Sequence, residues 1–243
     1  MITNTDAVSI KTAGSTMYQK GFKMILNHFA ANNIDIYYEE SGPADAPVIL
    51  LVMGLGAQMI AWPEDMIQGL VAQGFRVIHY DNRDVGLSQR MDGAPAPNLI
   101  WTMVKARVGL PTWAAYTLTD MMQDGIALLD ALGIAKAHIA GASMGGMIVQ
   151  LMAAHHPDRI LTMTSIMSTS GRAGLPGPRA DIRKRLMAPR PSNPTREQAV
   201  RLGAESLETI SYADKKRPNS AFEDMAARAF DRSYYPIGMK RQL

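Results

Sequence analysis

The sequence predicts an α/β protein: a mainly parallel sheet with helices on both of its faces. Short apolar runs alternate with helically spaced stretches at the intervals of βαβ units. The run Val48 to Met53 contains no polar position, as a strand covered on both faces requires. Glycines close successive segments at Gly54, Gly74 and Gly133.

Each element follows from its local pattern. Ile34-Asp35-Ile36-Tyr37-Tyr38 reads as a strand that ends at the turn Ser41-Gly42-Pro43. Val48 to Met53 is the next strand, closed by Gly54-Leu55-Gly56. A helix is expected from about Trp62 to Gln73, and Phe75 to Tyr80 forms a further strand that opens into Asp81-Asn82-Arg83-Asp84-Val85-Gly86. Residues 91–116 are irregular, with Pro95, Pro97 and Pro111. There Trp101, Met103 and Trp113 read as core packing, with an apolar acyl pocket as the alternative. Leu118 to Leu132 carries helical spacing at Met121, Met122, Ile126 and Leu129. Ala137 to Ala140 is a short strand, an apolar helix runs to His156, and Leu161 to Met167 is one more strand. After Ser168 the chain is Arg-, Pro- and Ala-rich and helical at best.

The sequence divides into a leader or cloning-derived extension (1–27), a core (28–168) and a separate helical layer (169–243). The first 27 residues are polar and lack the compact apolar stretch and cleavage site of a signal peptide, so Met17 or Met24 is the expected natural start. No run approaches the roughly eighteen apolar residues of a membrane span, and the expected location is the cytoplasm. The 243 residues are 47% hydrophobic and 19% charged, which excludes disorder, collagen-like repeat and coiled coil. With no cysteine, disulfide frameworks, Cys-based zinc sites and thiol nucleophiles are excluded together.

Chemistry concentrates at Gly141-Ala142-Ser143-Met144-Gly145, a G-x-S-x-G between a strand and a helix. A serine on so tight a turn sits in strained backbone and needs small neighbours two residues either side. The helix start directs backbone N–H groups and positive dipole toward it, as a developing oxyanion requires. Acyl transfer needs two convergent N–H donors. Met144 is the expected first donor and Leu55, in the Met53-Gly54-Leu55-Gly56 turn, the expected second, the alternative being that these glycines only turn the chain. A dinucleotide-binding reading of Gly54-x-Gly56 fails because the third glycine is missing.

The ordered segments VILLVMGLG, FRVIHYDNRDVGLS and AHIAGASMGGMIVQLMAAHHPDRI resemble the α/β-hydrolase superfamily, from about His28 onward. Within it the chain is similar to the aclacinomycin methylesterase-like and related bacterial carboxylesterases. The resemblance implies an eight-stranded sheet, an esterase-type activity with no cofactor, and a helical cap over 169–243; no metal site is expected from the residues. It also implies Ser143 as nucleophile, with Leu55 and Met144 as oxyanion donors. Asp81 and Arg83 belong, by the same resemblance, to a structural loop.

The fold's catalytic order is Ser, then Asp or Glu, then His. Only His155 and His156 follow Ser143, at the far end of its helix and roughly 18–20 Å away at 1.5 Å per residue. His28, His79 and His138 precede it; His138 lies at the wrong end of its strand, and His79 about 10 Å off, two strands away. A metal pair at His155 and His156 lacks a third ligand. The expectation is therefore a C-terminally shortened enzyme without the triad acid and histidine. Loss of the base costs on the order of 10⁶ in rate and leaves about 10³ over water, so this form is expected to be nearly inactive unless a fragment or partner supplies the rest. The strand Leu161 to Met167 would then be an apolar sheet edge through which copies of the chain could associate.

The expected partner is a small-molecule ester. The alternatives are a non-catalytic or partner-complemented scaffold, and a perhydrolase or C–C bond hydrolase on the same nucleophile. Residues 1–170 carry 10 basic and 14 acidic side chains, and residues 171–243 carry 15 and 8. The clusters Arg183-Lys184-Arg185 and Lys215-Lys216-Arg217 lack the interleaved aromatics of a nucleic-acid surface and read as solvated helix faces.

Overall fold

In the computed structural model seven strands form one sheet among the described residues. The structure describes residues 17–19, 22–97, 101, 110, 114–172, 174–177, 179–186, 188, 191, 193–211 and 220–242, with backbone alone for 17–19, 22–31, 185 and 186. Met103, Trp113 and Lys215-Lys216-Arg217 lie outside the described residues, as does the leader before Met17.

The strands are β1 (Met17–Gln19), β2 (Phe22–Ala31), β3 (Ile34–Ser41), β4 (Val48–Val52), β5 (Arg76–Tyr80), β6 (Ala137–Ala142) and β7 (Ile160–Ile166). The helices are α1 (Glu64–Ala72), α2 (Leu118–Ala131), α3 (Met144–His155), α4 (Ala180–Leu186), α5 (Arg196–Ile210), α6 (Ser220–Arg232) and α7 (Pro236–Arg241). The sheet order is β1-β2-β3-β5-β4-β6-β7; strands β5, β4, β6 and β7 run parallel, and β1, β2 and β3 add an antiparallel flank.

Two strands occupy part of the expected leader. β2 pairs with β3 from Ile25↔Glu40 to Ala31↔Ile34, and β1 pairs with β2, so residues 17–19 and 22–27 belong to the sheet. The hairpin turns on Asn32-Asn33 at φ 50° and 62°, where two positive φ values suit the twist of a two-residue hairpin. Asparagine tolerates that region better than other side-chain-bearing residues.

β3 buries Ile34, Ile36 and Tyr38 on one face, in the alternation of a half-covered strand. β4 buries Val48 and Leu50 through Val52, as its unbroken apolar run predicts. α1 begins later than expected because Pro63 takes the N-cap, with Glu64 and Asp65 in the first turn against the helix dipole. Thr117 and Asp120 form a reciprocal capping box that fixes the start of α2. Helices α2 and α3 cover one sheet face around Leu50, Ile78, Ile139 and Ile148, while α1 covers the other around Leu51, Val77 and Ile67.

β7 pairs only with β6 among the described residues and stands at the sheet edge, with Leu161 and Met163 about half exposed. Beyond it the described residues contain helices but no strand. Helices α5 and α6 close a small apolar cluster of Ala204, Phe222 and Ala226. Trp101 is 64% exposed and so is not core packing. Arg183 and Lys184 are exposed, as solvated faces should be.

Candidate active site

The chain leaves β4 toward β5 on one side and leaves β6 toward β7 on the other. Loops that depart in opposite directions open a crevice at the carboxyl ends of β4 and β6, the usual ligand position in an open α/β sheet. Gly54 and Ser143 stand at those two strand ends.

Ser143 joins β6 directly to α3 at φ 54° and ψ −118°, and is exposed. Its N–H donates to the Ile166 carbonyl at 2.9 Å, and its own carbonyl accepts from Ser168 Oγ at 2.7 Å. The turn thus stays anchored to the end of β7. The flanking glycines are sterically required: a Cβ on Gly141 would overlap the Gly145 carbonyl, and one on Gly145 would overlap the carbonyls of Val52 and Met53. Ser143 is the N-cap of α3, so Met144 N–H is among the first helical donors, which have no partner within the helix.

The turn after β4 lies against this elbow. A Cβ on Gly54 would sit 3.0 Å from Ser143 Cβ and 3.6 Å from Met144 N. Leu55, the next residue, is half-buried. Of the three residues that the sequence singled out, Ser143 and Met144 are adjacent, and Leu55 follows the Gly54 that packs against them.

A loop, residues 81–88, buried except at Leu87, braces the turn. Asn82 Nδ2 donates to the Met53 carbonyl at 2.8 Å, and Asp81 Oδ1 accepts from Met59 N–H at 2.8 Å. Asp81 also accepts from Leu87 N–H and pairs with Arg232 at 2.7 Å. Burial pushes the Asp81 carboxyl above its ordinary range, against the pull of Arg232 and those two N–H groups. Arg83 meets Asp124 through two bonds of 2.7 and 2.6 Å and lies over the Tyr116 ring. Asp84 meets Arg241 in the same bidentate way at 2.7 and 2.8 Å. Burial alone would raise the Asp84 carboxyl, but Arg241 and the Met91 N–H hold it below the usual carboxylate range. Asp81 and Arg83 are thus fully engaged with protein partners.

No described histidine contacts Ser143. His79 pairs in register with Leu51, which faces Ala140, so it lies two strands away and three residues short of the elbow's level. It packs 3.9 Å from Glu39, and burial lowers its pKa to about 4. His138 Nδ1 lies 2.8 Å from Thr162 Oγ1. His155 closes α3, His156 Nε2 lies 3.5 Å from Gln123, and His28 sits in β2. Among the described residues no group of three or more His, Cys, Asp or Glu side chains is placed to hold a metal ion.

Sequence reasoning missed Arg232, Arg241 and Gln242, all of which reach this region from the far end of the chain. The opposite charge balance of residues 1–170 and 171–243 is the one available signal for the two arginines, and Gln242 has none.

A serine at positive φ between strand and helix, at the switch point of a mainly parallel sheet and against the Gly54 turn, completes the geometry of this region. The family model for the α/β-hydrolase fold matches residues 47–237, and the chain belongs to that family. Among curated proteins it is similar to rhodomycin D methylesterase of Streptomyces peucetius, 34% identical over 146 residues that cover 60% of this chain and 41% of the relative. It is also similar to the putative carbamate hydrolase of Variovorax paradoxus, 30% identical over 56% of this chain and 43% of that protein. These matches span less than half the length of either relative. Among solved structures, 2-hydroxy-6-oxo-6-phenylhexa-2,4-dienoate hydrolase from Rhodococcus sp. RHA1 superposes at TM-score 0.66 with 18% identity, over 90% of this chain and 72% of that one. The enol-lactonase from Burkholderia xenovorans LB400 superposes at 0.61 with 24% identity, over 88% and 70%. Both share the fold. No helix among the described residues is long and apolar enough to cross a membrane.

Proposed function

We propose that the chain carries the nucleophile half of a carboxylic ester hydrolase acting on small-molecule esters. One observation carries the reading: Ser143 sits exposed at positive φ at the start of α3, with the Gly54 turn against it. Ser143 Oγ attacks the ester carbonyl, and the carbonyl oxygen, now an oxyanion, accepts from the N–H groups of Leu55 and Met144. The alcohol leaves with a proton, and water then hydrolyses the acyl-enzyme. Helices α4 to α7 serve as the cap in this reading. The methylesterase relative supports an ester as the substrate class.

The reaction needs a base for the Ser143 proton, and no described imidazole stands beside it. In this reading the base and its acid come from polypeptide outside the described residues, added at the open edge of β7. The rival reading, a scaffold that keeps the elbow without catalysis, draws on the same lack of a neighbouring imidazole.

Added imidazole separates the two. Hydrolysis of a short-chain p-nitrophenyl ester should show an imidazole-dependent, protein-dependent rate for the wild type and none for Ser143→Ala. Equal rates in the two proteins, with imidazole present, would leave the scaffold reading standing.

A further inference from the structure

Helix α7 ends against the oxyanion turn. A Cβ on Gly56, at φ 64°, would meet Met239 Cγ at 2.7 Å, and one on Gly238 would overlap the Asp84 carbonyl. The close approach therefore uses a glycine on each side. Arg241 then anchors the helix end through its bidentate pair with Asp84, at 2% and 0% side-chain exposure. The next residue, Gln242, points one amide at two backbone groups. Gly56 N–H donates to Gln242 Oε1 at 2.8 Å, and Gln242 Nε2 donates to the Arg83 carbonyl at 2.8 Å.

We propose that Gln242 is a positioning residue that fixes the oxyanion turn by bridging Gly56 N–H to the Arg83 carbonyl. The proposal rests on the reading of Leu55 and Met144 as oxyanion donors. The donor peptide Gly54–Leu55 lies between two fixed points. Upstream, Asn82 Nδ2 holds the Met53 carbonyl at 2.8 Å; downstream, Gln242 holds the Gly56 N–H. A weaker turn bond, Ala57 N–H to the Gly54 carbonyl at 3.2 Å, closes the interval. Without Gln242, the downstream peptide plane can rotate and carry the Leu55 N–H off its aim. An amide suits the position because it accepts and donates at one end. A glutamate would accept from Gly56 but set a carboxylate against the Arg83 carbonyl. Neither bond touches the substrate, so the effect falls on the step in which negative charge develops.

Gln242→Leu, close in size, removes both bonds, and a p-nitrophenyl alkylphosphonate reads the outcome. Ser143 Oγ bonds to phosphorus, p-nitrophenolate leaves, and the serine proton passes to solvent base, while the phosphoryl oxygen occupies the oxyanion position. Losing one oxyanion donor outright costs about 10² to 10³ in rate; misaiming it should slow phosphonylation on the order of tenfold. The concentration for half-maximal labelling and the thermal midpoint should stay at wild-type values. Amide exchange at Gly56 should rise while exchange in α3 stays unchanged. Phosphonylation of Gln242→Leu at the wild-type rate, or a loss confined to the half-maximal concentration, overturns the proposal. Should Gln242→Leu lose its thermal transition, Gln242→Ala carries the same test. Ser143→Ala labelled as fast as wild type, or no labelling of any form, removes the Ser143 reading and the proposal with it. Ser143-specific labelling with an unaffected Gln242→Leu removes the role of Gln242 alone.

Discussion

Ser143 holds a conformation that an L-residue adopts at a cost. Its φ of 54° with ψ −118° lies outside the broad basins of side-chain-bearing residues, a situation worth about 1–3 kcal/mol. The surroundings enforce it: the Ile166 carbonyl holds its N–H, and Gly141 and Gly145 allow the chain to close on itself. Ser143→Gly should therefore raise unfolding stability by about 1 kcal/mol, whereas Ser143→Ala should not, since alanine keeps the Cβ. Denaturant midpoints of the two variants decide the point, and equal midpoints would show that the elbow is unstrained. At this scale the sequence was informative where geometry is local. Ser143 and Met144 are adjacent, Gly141 and Gly145 lie two residues either side, and five consecutive residues are enough to specify the turn. Gln242 was not legible, because its partners Gly56 and Arg83 lie far back in the chain and nothing local marks a glutamine as a bridge.

Between β3 and β5, a half-buried carboxyl and a buried imidazole are shifted in opposite directions. Glu39 and His79 face each other in register, 3.9 Å apart. Burial raises the Glu39 carboxyl from 4.5 to about 7, with Asp81 and Glu64 adding to the rise and Arg232 opposing it. Burial lowers His79 from 6.5 to about 4. Between pH 4.5 and 7 the folded chain holds the Glu39 proton better than the unfolded chain, so stability falls as pH rises through that window. For His79 the unfolded chain binds the proton better between pH 4 and 6.5, so stability falls as pH drops. The two slopes largely offset each other in the wild type. Glu39→Gln should raise the thermal midpoint above pH 7, with the gain shrinking toward pH 4.5. His79→Gln should retain more of its neutral-pH stability at pH 5 than the wild type does. Parallel midpoint curves for wild type and Glu39→Gln across this range would refute the assignment. The patterns of β3 through β7 were legible because alternation and apolar runs are properties of the segments themselves. β1 and β2 were not, since backbone pairing and the Asn32-Asn33 turn define them more than any side-chain period does.

Across the whole molecule the charge imbalance acquires a structural role. The acidic excess of residues 1–170 and the basic excess of residues 171–243 meet at Asp81–Arg232 and Asp84–Arg241. Other basic groups of the second segment stay at the surface, Arg196 with Asp231 among them. The two pairs lock α6 and α7 onto the loop that braces the Gly54 turn, so the last described helices meet the loops that follow β4 and β5. Solvated faces describe Arg183 and Lys184 but not Arg232 or Arg241. The general base is the part that neither sequence nor described structure supplies, because every described histidine is committed elsewhere or too far away. The nucleophile can still be tested directly. After brief mixing with p-nitrophenyl butyrate and acid quench, peptide mass spectrometry should find the butyryl group on the peptide containing Ser143, and on no peptide of Ser143→Ala. Butyrylation of another residue at equal extent in both proteins would contradict the account.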